Sequence, residues 1–86
     1  MSEIEVGRVE DYFAHIEVVA IEVTSEGISV GDTLHFKGHT TDFKQKITSM
    51  QVDHKSVEEA PAGSEVGIKV KDRVRTHDQV FKVVED

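Results

Sequence analysis

Histidines four residues apart, such as His35 and His39, are the spacing that sets two imidazoles on one face of a helix and begins many zinc sites. In this chain His35 falls in a short strand pattern and His39 follows Gly38, so helical spacing does not apply. His39, Asp42 and His54 would converge only if the loop after Gly38 folded over the following strand. The expectation is surface histidines, no metal and no cofactor. Ser49 has His54 nearby in sequence but no oxyanion-hole motif, which argues against a hydrolase triad. Cysteine is absent, which removes thiol nucleophiles, thiolate metal sites and disulfides. The chain is expected not to be an enzyme.

Binding chemistry is better represented. His39-Thr40-Thr41-Asp42 is a polar loop in which Asp42 can bond its own backbone in an Asx-turn. Beside Lys37, Lys44 and Lys46 it would offer donors and acceptors to a partner. Lys69, Lys71, Arg73 and Arg75 share one parity, and alternate residues of an extended segment face one side. They would form a basic ridge able to follow a phosphate backbone, or simply the solvated outer face of a strand. These nine residues are the candidate interaction surface. Tyr12, Phe13, Phe36, Phe43 and Phe81 are the only aromatic side chains besides the histidines, and most are expected in the core. That argues against stacking on single strands.

The elements that must position these residues read as strands. Ile4, Val6 and Val9 mark a first strand, with Gly7 a bulge or a close backbone approach. His15 to Thr24 is a second, whose apolar phase slips at Val18-Val19, as a β-bulge would cause. Phe43 to about Asp53 reads as one long strand with the same slip. Val66, Ile68 and Val70 alternate, and Val80 to Val84 close the chain. Turns are marked by Ser25-Glu26-Gly27, Gly31-Asp32 and Pro61-Ala62-Gly63-Ser64. Gly31-Asp32-Thr33-Leu34 and His77-Asp78-Gln79-Val80 read as similar turns into strands. Only Asp11–Phe13 and Ser56–Ala60 leave room for a helical turn.

With 86 residues the chain is one domain, residues 1–86. Its net charge of −7 is uneven. Residues 1–32 hold eight acids and one base, whereas residues 33–86 hold nine of each. An acidic chain is a poor general nucleic-acid binder, so any RNA contact must use a local basic patch. The N-terminus lacks a basic segment followed by an apolar one, and no apolar run has the roughly 18 residues of a membrane helix. A cytoplasmic protein without membrane contact is expected.

Val30-Gly31-Asp32 before a strand, followed later by Ala60-Pro61-Ala62-Gly63-Ser64-Glu65-Val66-Gly67-Ile68, resembles the second domain of translational GTPases such as elongation factor Tu. The stretch from His35 to Ala60 is more similar to freestanding elongation factor-like proteins and to the C-terminal barrel of collagenase-like peptidase-family proteins, some of which take part in tRNA hydroxylation. The resemblance implies an all-β fold, a small closed antiparallel barrel of six or seven strands. It also implies a non-catalytic binding module contacting tRNA, the ribosome, or a tRNA-modifying or peptidase-like enzyme. The alternative is a protein-interaction adaptor without RNA affinity. No G-x-x-x-x-G-K-[ST] segment occurs, so GTP binding is not expected.

Overall fold

The computed structural model describes residues 2–84, all in strands, turns and loops. Ten strands run in order: β1 (Ser2–Phe13), β2 (Val18–Val23), β3 (Ile28–Ser29), β4 (Thr33–Lys37), β5 (Asp42–Lys46), β6 (Met50–Val52), β7 (Lys55–Val57), β8 (Glu59–Ala60), β9 (Glu65–Lys69) and β10 (Gln79–Val84). Eight form an antiparallel sheet in the order β5-β4-β10-β1-β2-β9-β6-β7, and β3 pairs with β8 separately. Among the described residues no helix is long and apolar enough to cross a membrane. Both candidate helical turns are strand, in β1 and in β7–β8.

The all-β reading holds, but the closed barrel does not. The sheet ends at β5 on one side and β7 on the other, and these two strands do not pair. The anticipated long strand from Phe43 to Asp53 breaks at Ile47–Ser49, so β5 and β6 join distant parts of the sheet. Turn spacing and alternation specify strands and their inner faces; they do not specify whether the last edges meet. The two phase slips have corresponding explanations. Ile16 lies in the β1–β2 turn, leaving β2 regular, while the irregular pairings are in β1, at Glu5/Gly7 and Val9/Asp11. The second slip is the corner at residues 47–49.

One face of the sheet buries the core. Val19, Ile21 and Val23 of β2, Leu34 and Phe36 of β4, Val66 and Ile68 of β9 and Val80 of β10 all point inward. Burying such side chains contributes roughly 1.5–3 kcal/mol each before chain entropy is set against it. The intervening residues face outward, and they carry the candidate chemistry.

Two turns are built alike. Ser29 N–H donates to Asp32 Oδ2 (2.8 Å), and Arg75 N–H donates to Asp78 Oδ2 (2.9 Å). Gly31 N–H donates to the Ile47 carbonyl, and Ile47 N–H donates to that of Asp32. His77, Val9 and Asp78 repeat the same pair of bonds at the second turn. Gly31 and His77 both have positive φ, 101° and 77°. The strands launched, β4 and β10, pair antiparallel, so the equivalent residues His35 and Phe81 face each other.

Gly38 packs against the second turn: a Cβ there would lie within bonding distance of Asp78 Oδ1. Gly38→Ala should therefore displace the Asp78 carboxylate and cost about 1–3 kcal/mol, as overpacking does. Urea denaturation checks this, and an unchanged midpoint would mean that the turn moves freely.

Candidate functional site

The strand β5 is short, polar and at the sheet edge. Phe43 and Gln45 turn inward, so Asp42, Lys44 and Lys46 line its outer, exposed face. Register places Asp42 opposite Lys37, Lys44 opposite His35 and Lys46 opposite Thr33 on β4. His39 is exposed in the connecting loop. With Lys37 and His77 it lines a depression of about 460 Å³ over Gly38.

The second basic group is brought to this edge by Gln45. Its amide Nε2–H donates to the Lys69 carbonyl (2.8 Å), and its Oε1 accepts from the Lys71 N–H (2.8 Å). The end of β9 is thus fastened to β5 through a side chain, where a closed sheet would use a backbone ladder. Lys69, Lys71, Arg73 and Arg75 are all exposed, while Val70 and Val74 between them are buried. Only Lys69 belongs to a strand, so the anticipated ridge is mostly a loop anchored by two valines. Arg73 and Arg75 border a depression of about 300 Å³ that includes half-buried Tyr12. All nine candidate residues therefore lie on the surface, and Gln45 links their two groups. Sequence reading missed Gln45 because its partners are 24 and 26 residues away.

His35 behaves differently from a surface histidine. It is 9% exposed and sits between two carboxylates. Nδ1–H donates to Glu3 Oε1 (2.9 Å) and Nε2–H to Asp42 Oδ1 (2.5 Å). Ionised carboxylates only accept, so this pair of bonds is complete when both ring nitrogens carry protons, and the geometry favours the imidazolium form. Lys44 lies 3.7 Å from the other Glu3 oxygen, extending the alternation of charge. Asp42 gives its carboxylate to His35, which corrects the Asx-turn expectation. With both ring nitrogens engaged, His35 is not free to pair with His39 on a metal. Among the described residues no group of three or more His, Asp or Glu could hold a metal ion.

The hydrogen bond to Asp42, reinforced by Glu3, holds the His35 pKa above its ordinary value against the effect of burial. Hydrogen bonding from His35 lowers both Glu3 and Asp42. The histidine's contribution to stability is complete below its unfolded pKa, about 6.5, and is lost as pH rises through the raised folded value. The carboxylates' contributions are complete above about pH 4 and are lost as pH falls through their lowered folded values. The cluster should stabilise the fold most between about pH 4.5 and 6.5. Unfolding free energy measured from neutral to alkaline pH should fall in the native chain and stay flatter in His35→Gln. An equal slope in both would remove His35 from the account.

A second charge cluster faces out from the centre of the sheet. Glu10, Glu22 and Glu65 come together from β1, β2 and β9, with Arg8 3.6 Å from Glu22. Hydrogen bonding with the Glu22 carboxyl, together with the charges of Glu22 and Glu65, raises the Glu10 pKa. Glu10 and Glu22 of the acidic first third thus meet Glu65 in a carboxylate patch, while Glu3 of the same first strand is taken up by His35 and Lys44 at the basic edge.

No family model matches the chain. It is 37% identical over 84 residues to an uncharacterized protease of Methanocaldococcus jannaschii, covering 96% of this chain and 20% of that protein. It is 31% identical over 81 residues to a collagenase of Porphyromonas gingivalis, covering 93% of this chain and 20% of that one. The chain thus spans about a fifth of the length of the curated relatives it matches. Its fold matches the crystal structure of the C-terminal domain of a Geobacillus thermoleovorans putative U32 peptidase, with a TM-score of 0.86 and 19% identity over 93% of this chain and 92% of that one.

These findings bear out the collagenase-like part of the resemblance; likeness to elongation factor Tu is not among what they show. The plain expectation of a chain that is not an enzyme is also corrected. The relatives are named for proteolysis, and the match covers one part of them, without showing catalysis by that part.

Proposed function

We propose that this chain is an accessory domain of a peptidase-like protein, and that it binds structured RNA, tRNA foremost, along the edge formed by β5 and residues 69–75. The end-to-end match to a peptidase C-terminal domain supports the accessory role. The observation that carries the binding role is the Gln45 bridge, which holds Lys69 and Lys71 against the strand bearing Lys44 and Lys46. Cations held on one edge can follow a phosphate backbone without base-specific contacts. The ribosome surface would offer the same chemistry. A tRNA partner implies a cytoplasmic setting.

An amide-shift titration of the labelled protein with bulk tRNA, at low and at physiological salt, tests this reading. Localised shifts at Lys44, Lys46 and residues 69–75 that persist in salt would support it. Absent shifts, or diffuse ones that vanish with salt, would overturn it. The acidic face of Glu10, Glu22 and Glu65 favours a second reading, a protein-interaction adaptor docking a tRNA-modifying or peptidase-like enzyme. Co-purification of one protein that survives nuclease treatment would distinguish that case.

A further inference from the structure

A groove of about 440 Å³ crosses the outer face of the sheet where β2, β9 and β6 adjoin. Its floor is made by Ala20 and Gly67, directly paired between β2 and β9, with Gln51 of β6 next to Gly67. Its apolar wall comes from the β1–β2 hairpin, where Phe13 is 47% and Ile16 60% exposed. A solvated sheet face normally alternates polar residues outward, and large apolar groups set together on one are more characteristic of contact surfaces.

Gly67 differs from the glycines that the fold itself requires. At Gly7 a Cβ would collide with the Glu22 carbonyl oxygen, and Gly38 packs against the Asp78 carboxylate. At Gly67 the nearest atoms to a Cβ would be Val18 Cγ1 at 3.6 Å and the Gln51 carbonyl at 3.9 Å, ordinary contacts. Neither crowding within the domain nor a left-handed backbone accounts for this glycine, since its φ is not positive. What the missing side chain does is leave the groove open.

The rim is acidic. Asp53 and Glu65 line the groove, and Glu65 belongs to the carboxylate cluster with Glu10 and Glu22. Arg8 is the one basic side chain that pairs with this cluster among the described ion pairs, at 3.6 Å from Glu22. Hydrogen bonding with Glu22, then burial and the charges of Glu22 and Glu65, raise the Glu10 pKa, and a guest cation would favour the ionised carboxylates instead.

We propose that this groove docks a peptide segment of a partner protein in which an apolar side chain stands beside a lysine or arginine. The apolar side chain seats over Ala20 and Gly67 against Phe13 and Ile16. The cation lies toward Glu65, Glu22 and Glu10. This surface adjoins the basic edge only at Lys69, which is paired with groove-lining Val18, so peptide shifts at Ala20, Gln51 and Gly67 are distinguishable from RNA shifts at Lys44, Lys46 and residues 71–75.

The test is an amide-shift titration with two capped tetrapeptides, Leu-Arg-Leu-Lys and Leu-Glu-Leu-Glu. The basic peptide should shift Ala20, Gln51 and Gly67, and the acidic one should not. Gly67→Leu, which fills the floor, should weaken binding about tenfold, the loss of one seated side chain. The surface variant Glu10→Gln/Glu22→Gln/Glu65→Gln should keep the fold and reduce the preference for the basic peptide about tenfold. Equal response to both peptides, no localised shift at millimolar peptide, or binding unchanged in both variants would overturn the proposal. Concentration-dependent shifts at the same residues without peptide would overturn it in favour of a second copy of the chain.

Discussion

Phe36→Ala should remove about 3–5 kcal/mol of unfolding free energy, the usual cost of emptying a buried phenylalanine site. A domain of this length has roughly 4–13 kcal/mol in all, so the loss would take a large fraction of it. Phe36 is fully buried, and its ring stacks on Phe43 with centroids 5.0 Å apart. It is paired with Val80 on one side and Phe43 on the other, at the centre of the β10-β4-β5 ladder. Truncation would leave a cavity and also deprive the edge strand of the packing that orients Lys44 and Lys46. Urea denaturation should show a much lower midpoint at an unchanged slope. Phe36→Leu, closer in volume, should cost about 1 kcal/mol. A loss in Phe36→Leu as large as in Phe36→Ala would mean that the ring's stacking on Phe43, and not buried volume alone, carries the site.

Charge reversal at the basic edge should have the largest effect on binding. Lys46→Glu/Lys69→Glu/Lys71→Glu is expected to weaken tRNA binding about 100-fold at low salt, because attraction to phosphates becomes repulsion at three positions. Neutralising the same three residues with Gln should reduce the salt slope by about one for each phosphate left without its cation. A further variant separates a composed surface from scattered charges. Gln45→Leu keeps every cation but removes the two hydrogen bonds joining β5 to the end of β9. If the edge acts as one surface, Gln45→Leu should lose about three- to tenfold in affinity. Affinity unchanged by Gln45→Leu, with the charge variants still defective, would mean that the two groups bind independently. Affinity unchanged in all of them would remove the basic edge from the account.

Much of the framework was legible in one dimension because its causes are local. Alternation at Val19, Ile21 and Val23 and at Val66, Ile68 and Val70 marked strands and their buried faces. The similarity of the turns at Gly31-Asp32 and His77-Asp78 was visible in residue types, since the carboxylate–backbone bonds that form them span three residues. Positive φ at His77 fits the same local logic. What the one-dimensional reading could not settle depends on pairing between distant segments. Whether β5 meets another edge strand follows from the corner at Ile47–Ser49 and the twist of the whole sheet. His35 looked like a surface histidine because Glu3, which helps to hold it charged, is 32 residues away. Gln45 carries no signal of its own in the sequence, and Gly67 stood there only as part of a family motif. The roles of these three residues exist only once β1, β4, β9 and β10 lie in their places, because a hydrogen bond or a groove needs two surfaces and a sequence displays one residue at a time.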